Sequence, residues 1–186
     1  MSPKEILELF DEKFARLQSS TLIRIMIDPG WKLSFDFTSN TQNSDALLPD
    51  LEYVESYVLN LRFFIQNNEP CSLRNLSKLY ETHCRDQTIK ENFIELRKVF
   101  NTELDRVWPF RFNKKTLTFR DILMGFIYGK IAHSKVENHQ IFHQLTKHPF
   151  GYHLALNTFL RCIDFIHDIL TMINQLNKKF LAIIEK

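Results

Sequence analysis

Glycine is scarce in this chain, with four residues among 186, and proline adds only six. A fold built from many tight turns, or a low-complexity coil, needs more of both, so an all-β sandwich and a disordered chain are excluded at the outset. Cysteine is scarcer still. Cys71, Cys84 and Cys162 are odd in number and show no CxxC spacing. That excludes a disulfide scaffold and suits buried thiols in a reducing compartment. No stretch approaches the roughly 20 apolar residues of a membrane span. The start, MSPKEILELFDEKF, is acidic and lacks a basic n-region followed by an apolar run, so it is not a signal peptide. The expectation is a cytoplasmic protein without a membrane contact. Charge of one sign is also lacking overall, with a net +2.

Large apolar side chains are present in force. Seventeen phenylalanines contribute to an aromatic share of 13%, enough for one domain spanning residues 1–186 with a substantial core. The charge is unevenly placed: Arg106 to Lys135 holds seven basic residues and one acidic residue, so the rest of the chain is net negative. A local basic surface says more about partners than the total does.

Periodicity points to a mainly α protein. Ser2-Pro3-Lys4-Glu5 is a capping box with proline at the first helical position, followed by Ile6, Phe10, Phe14 and Leu17 on one face. TLIRIMI and WKLSFDF flank Asp28-Pro29-Gly30, the pattern of a β-hairpin, and Trp31, Leu33, Phe35 and Phe37 alternate with polar residues. Residues 1–49 thus form an N-terminal extension of helix plus small hairpin. Residues 50–186 form the bundle. Asp50 is expected to cap a helix carrying Leu51, Val54, Val58, Leu61 and Ile65. Ser72 opens a shorter helix to about His83. Thr88-Ile89-Lys90-Glu91 is a second capping box ahead of Phe93, Leu96, Phe100 and Leu104, with Trp108-Pro109 as the stop. PFRFNKKTLTFR makes an irregular or hairpin-like connection to a helix capped by Thr118. Tyr152 to Lys186 is one long helix with Leu156, Phe159, Ile163, Ile166, Leu170, Ile173, Phe180 and Ile184 in near-heptad order. Four long helices with short connections predict an up-and-down bundle.

The helix after Thr118 contains two of the four glycines, each costing roughly 1 kcal/mol relative to alanine. Gly125, Gly129, Ala132 and His133 fall at i, i+4, i+7 and i+8, which gives a small-residue face ending at an imidazole. Gly125, Gly129 and Ala132 are the expected homodimer contact. Two further patterns carry chemistry. Arg106, Arg111, Lys114, Lys115 and Arg120 interleave with Trp108, Phe110, Phe112 and Phe119, which suits phosphates and stacked bases of single-stranded RNA; the alternative is that the aromatics anchor a loop while the cations stay solvated. His139 and His143 lie one helical turn apart, but there is no HExxH, no cysteine in range, and Pro149 breaks the run, so no metal and no cofactor are assigned. His83-Cys84 lacks the third group of a catalytic set.

The stretch Tyr128-Gly129-Lys130-Ile131-Ala132-His133-Ser134-Lys135, late in a helix of a bundle, resembles the HEPN superfamily, many members of which carry Arg, four to six residues, then His, often as R-N-x-x-A-H. The resemblance covers residues 50–186 at motif level. It implies a dimer whose paired motifs form a metal-independent RNase cleft, with the histidine acting on the ribose 2′-hydroxyl and the arginine stabilising the phosphate. Here Tyr128 stands at the arginine position and Gly129 at the asparagine position. A phenol offers one uncharged donor where a guanidinium offers a charged fork. Lys130, Lys135 and Arg120 are the cations that could substitute. The resulting expectation is an RNA-binding or protein-interaction module of the defence or toxin–antitoxin kind, with an altered site at His133, Tyr128 and Lys130 and a nucleic-acid contact at Arg111, Lys114, Lys115, Arg120 and Lys135. The alternatives are an active metal-independent endoribonuclease using His133 and a structural adaptor with a protein partner.

Overall fold

A computed structural model describes residues 1–20, 48–109, 116–128 and 151–185. The described residues form six α-helices: α1 (Pro3–Gln18), α2 (Leu48–Ile65), α3 (Leu73–His83), α4 (Gln87–Leu104), α5 (Phe119–Tyr128) and α6 (Gly151–Ile184). The mainly helical bundle expected from periodicity is therefore present. The hairpin expected around Asp28-Pro29-Gly30 lies outside the described residues.

The helix starts follow from local side-chain chemistry. Ahead of α1 the Ser2 N–H donates to Glu5 Oε2 at 2.7 Å and Ser2 Oγ accepts from the Glu5 N–H at 3.3 Å, the reciprocal capping box the sequence predicts. These bonds hold the Glu5 carboxyl below its usual range. Ser72 Oγ accepts from the Asn75 N–H at the start of α3, and Thr118 exchanges backbone and side-chain bonds with Asp121 at the start of α5. Three expected boundaries are corrected. α2 begins at Leu48 rather than behind an Asp50 cap, because Pro49 falls in the first turn, where a missing N–H goes unmissed. α4 is capped by Asp86, whose Oδ1 accepts from the Ile89 N–H at 3.0 Å, so Thr88 lies inside the first turn. α4 also ends at Leu104, ahead of Trp108-Pro109, because residues 106–108 pair with a later segment instead.

The chain gathers into two compact units. One comprises Met1–Gln18, Asn60–Glu103 and Phe165–Lys186; the other comprises Ser19–Leu59 and Leu104–Asp164.

In the first unit α1 runs antiparallel to the C-terminal part of α6: Lys4 pairs with Glu185 at 2.7 Å, Asp11 with Lys178 at 3.0 Å, and the Phe14 ring stacks on His167 at 5.5 Å. The buried stripe of α1 is Leu7, Phe10, Phe14 and Leu17; Ile6, expected in the core, is only partly covered. α3 and α4 are also antiparallel, since Tyr80 stacks on Phe93 with centroids 4.1 Å apart while Arg97 Nη1 donates to Ser77 Oγ at 2.8 Å. Phe180 closes on Tyr80 at 4.8 Å. On this part of α6 the expected Ile166, Leu170, Ile173 and Phe180 are buried, whereas Ile184 is 38% exposed; Ile163, on the part of α6 that belongs to the second unit, is buried as well.

In the second unit the hairpin-like connection is closed at its base by an antiparallel bridge between Val107 and Thr118. The Trp108 N–H donates to the Leu117 carbonyl at 2.7 Å, and the Phe119 N–H to the Arg106 carbonyl at 2.9 Å. Trp108, Phe119 and Phe159 form a three-ring cluster with centroids 5.3–6.5 Å apart, and each is at most 3% exposed. Offset and edge-on contacts of this kind add to the burial of the rings themselves.

Candidate nucleic-acid interface

The bridge decides what the basic-aromatic stretch is made of. Side chains alternate across a paired segment: Trp108 faces inward into the ring cluster, while Val107 is exposed. Trp108 and Phe119 are therefore core anchors, unavailable for stacking on bases. Phe110 and Phe112 lie outside the described residues, as do Arg111, Lys114 and Lys115. The chain leaves the bridge at Trp108 and returns at Leu117, and the residues between carry those three cations and no acid. A short connection whose only charges are basic is thus fixed at both ends to a hydrophobic core.

Arg120 has a structural partner. Its Nε donates to Asp105 Oδ1 at 2.8 Å, with the arginine side chain about one-third exposed. A partly exposed pair of this kind contributes at most about 1 kcal/mol, and it ties the end of α4 to the start of α5. The guanidinium is accordingly oriented toward the base of the connection.

Gly125 is buried within the single chain, so the close approach it permits at that position is intramolecular. Tyr128 ends α5 as described. Gly129, Lys130, Ala132, His133 and Lys135 lie outside the described residues, and so does the zinc-spaced pair His139 and His143. Among the described residues no three His, Cys, Asp or Glu side chains converge as a metal site, and no helix is long and apolar enough to cross a membrane.

The cysteines are chemically quiet. All three are buried and none forms a disulfide. Burial pushes the Cys71 thiol up to about 11, and the thiol donates weakly to the Phe63 carbonyl. Burial likewise raises Cys84, which donates to the Asp86 carbonyl; the neighbouring His83 is exposed and is no base for it. A thiol held protonated by folding contributes stability that is complete below the ordinary thiol value near 9.0 and is lost as pH climbs toward about 11. Iodoacetamide at about pH 8 should therefore leave the native thiols unmodified. Alkylation at the rate of the denatured chain would overturn the assignment.

Two features escape sequence reasoning. Ser77 Oγ receives Arg97 and donates to Glu81 Oε1 at 3.1 Å, a buried hydroxyl relay with no imidazole and hence no activated nucleophile. An open cleft of about 460 Å³ is lined by Pro3 and Ile6 at the start of α1, by Pro70, and by Asn75, Lys78, Leu79, Thr82 and His83 on α3. Its Asn75 amide is already committed to the Glu69 and Asn67 carbonyls.

Searches against protein-family models, curated proteins and solved structures find no match to this chain.

Proposed function

We propose that this chain is a HEPN-like helical module that binds single-stranded RNA without cleaving it, as a homodimer in the cytoplasm, with the N-terminal hairpin as an appendage of the bundle. The observation that carries the reading is the anchored base of the basic connection. The Val107–Thr118 bridge and the Trp108–Phe119–Phe159 cluster hold the two ends of a segment bearing Arg111, Lys114 and Lys115. A connection tethered at both ends has less chain freedom to lose on meeting a phosphate backbone than an untethered segment of the same length, so the charge of its cations is used more efficiently. Lys135 and Arg120 extend the basic surface in sequence. The dimer contact falls on Gly129 and Ala132, since Gly125 is covered within the chain. The uncharged Tyr128 at the arginine position supports binding rather than cleavage at His133 and Lys130, because phosphate stabilisation in a cleavage site relies on a charged donor.

A second reading, a protein-binding adaptor, is favoured by Phe165 and Met172. They lie two turns apart on α6 and are 45% and 43% exposed, whereas large apolar side chains in a helix normally face a partner.

Binding of a labelled mixed-sequence single-stranded RNA, titrated at several salt concentrations with chelator present, tests the first reading. Wild type should bind with a salt-dependent affinity. Lys114→Ala with Lys115→Ala should weaken binding across sequences and flatten the salt slope by about one unit per lost contact. No cleavage above a His133→Ala control is expected. Absence of binding at low salt, or affinity indifferent to the double change, would favour the adaptor; chelator-resistant cleavage that disappears in His133→Ala would establish the nuclease instead.

A further inference from the structure

The core of the first unit contains a polar layer that the apolar pattern of α6 does not require. Asn177 is 2% exposed and its Oδ1 accepts from the Tyr80 hydroxyl at 2.8 Å. One turn earlier Asn174 is 6% exposed and its Nδ2 donates to Asp11 Oδ1 at 2.8 Å. Lys178 also reaches Asp11. Two asparagines on one face of α6 thus grip two different helices, α3 and α1. Each uses one end of its amide, and the other ends, Asn174 Oδ1 and Asn177 Nδ2, are buried without a hydrogen-bond partner.

Half-satisfied buried amides are a poor source of stability. Their value is directional. The residues that flank them on the buried face, Ile166, Ile169, Leu170, Ile173, Leu176 and Phe180, are all apolar, and a near-heptad run of similar side chains packs almost as well after sliding by one turn. A slide of one turn is about 5.4 Å. In either direction it would bring one amide to about the level of the other and strand the remaining one, so that either the Tyr80 hydroxyl or the Asp11 carboxylate loses its partner. A single polar position in a helical seam fixes register by the same penalty.

We infer that the Asn174–Asn177 layer, through Asp11 of α1 and Tyr80 of α3, sets the longitudinal register of α6 in the first unit. Burial raises the Tyr80 phenol far above its ordinary value and keeps it protonated, so it has the proton that it donates to Asn177 Oδ1. Desolvation pushes Asp11 upward, but its bonds from Asn174 and Lys178 prevail and hold it ionised as an acceptor.

The test uses the full chain and two variants. Tyr80→Phe with Asn177→Leu removes both partners of one grip while keeping similar volume, and Asn174→Leu removes the other. Amide correlation spectra of isotopically labelled protein should show a second set of α6 resonances in the double variant. NOEs from the ring at position 80 should be displaced along α6 by one turn, and Asn174→Leu should broaden or split the same resonances. The melting temperature of the double variant should hold or rise, since an apolar seam replaces a half-satisfied one. One sharp set of resonances with native NOEs in both variants would overturn the proposal. So would two variants that fail to fold, because the layer would then be needed for packing itself and not for register.

Discussion

Replacing Phe93 with alanine should be among the most damaging single changes in the first unit, lowering stability by about 3–5 kcal/mol. The ring is fully buried and lies nearly parallel to Tyr80, at 4.1 Å and 9°. Tyr80 in turn contacts Phe180 and bonds Asn177, so a void at position 93 removes the support of the ring that joins α3, α4 and α6. Collapse around such a void is restricted on every side, which places the site toward the costly end of large-to-small substitutions. In a chain of this size each kcal/mol moves the melting temperature by roughly 2–4 °C, so a drop on the order of 6–20 °C is expected by thermal denaturation followed by circular dichroism. Ile94, adjacent in sequence and 46% exposed, supplies the control, and Ile94→Ala should change stability by no more than about 0.5 kcal/mol. Equal effects at the two positions would show that α4 does not present the face described.

Much of this architecture was legible because it is encoded within one or two helical turns. Ser2-Pro3-Lys4-Glu5, Ser72 and Thr118 start helices where their side chains reach backbone donors three residues on, and that spacing is visible in any sequence. The stripe on α1 was displaced by a single residue, Leu7 for Ile6, because both fit an apolar face and only the packing of α1 chooses between them. The start of α4 shows a different limit: Asp86 and Thr88 are both good caps, and the geometry selects Asp86, which gives the helix two further residues. What local pattern could not supply is pairing across distance. The end of α4 at Leu104 follows from backbone bonds between residues 106–108 and 117–119, and Tyr80 meets Asn177 across 97 residues. The same limit applied to the candidate interface. Trp108 and Phe119 have the composition of stacking residues, and only their contact with Phe159 from α6 shows that they belong to a core.

That contact makes Trp108 the position where stability and the proposed binding meet. Trp108→Ala should cost about 3–5 kcal/mol in the second unit, since it removes an indole that is 3% exposed and touches both Phe119 and Phe159. Trp108→Phe should cost distinctly less, because it keeps a ring in the cluster while losing volume. The loss should extend to RNA in a particular way. The cations Arg111, Lys114 and Lys115 remain in the Trp108→Ala chain, so the salt slope, which counts neutralised phosphates, should stay near the wild-type value while affinity falls. The Lys114→Ala, Lys115→Ala chain should do the reverse to the slope and leave the melting temperature unchanged. Denaturant unfolding and salt-dependent RNA titration, run below the transition of every variant, separate the two effects. If Trp108→Ala melts like wild type, the ring cluster is not the anchor described here. If it is destabilised as expected yet binds RNA with undiminished affinity, the fixed base contributes nothing to recognition, and the cations act as they would on an untethered segment.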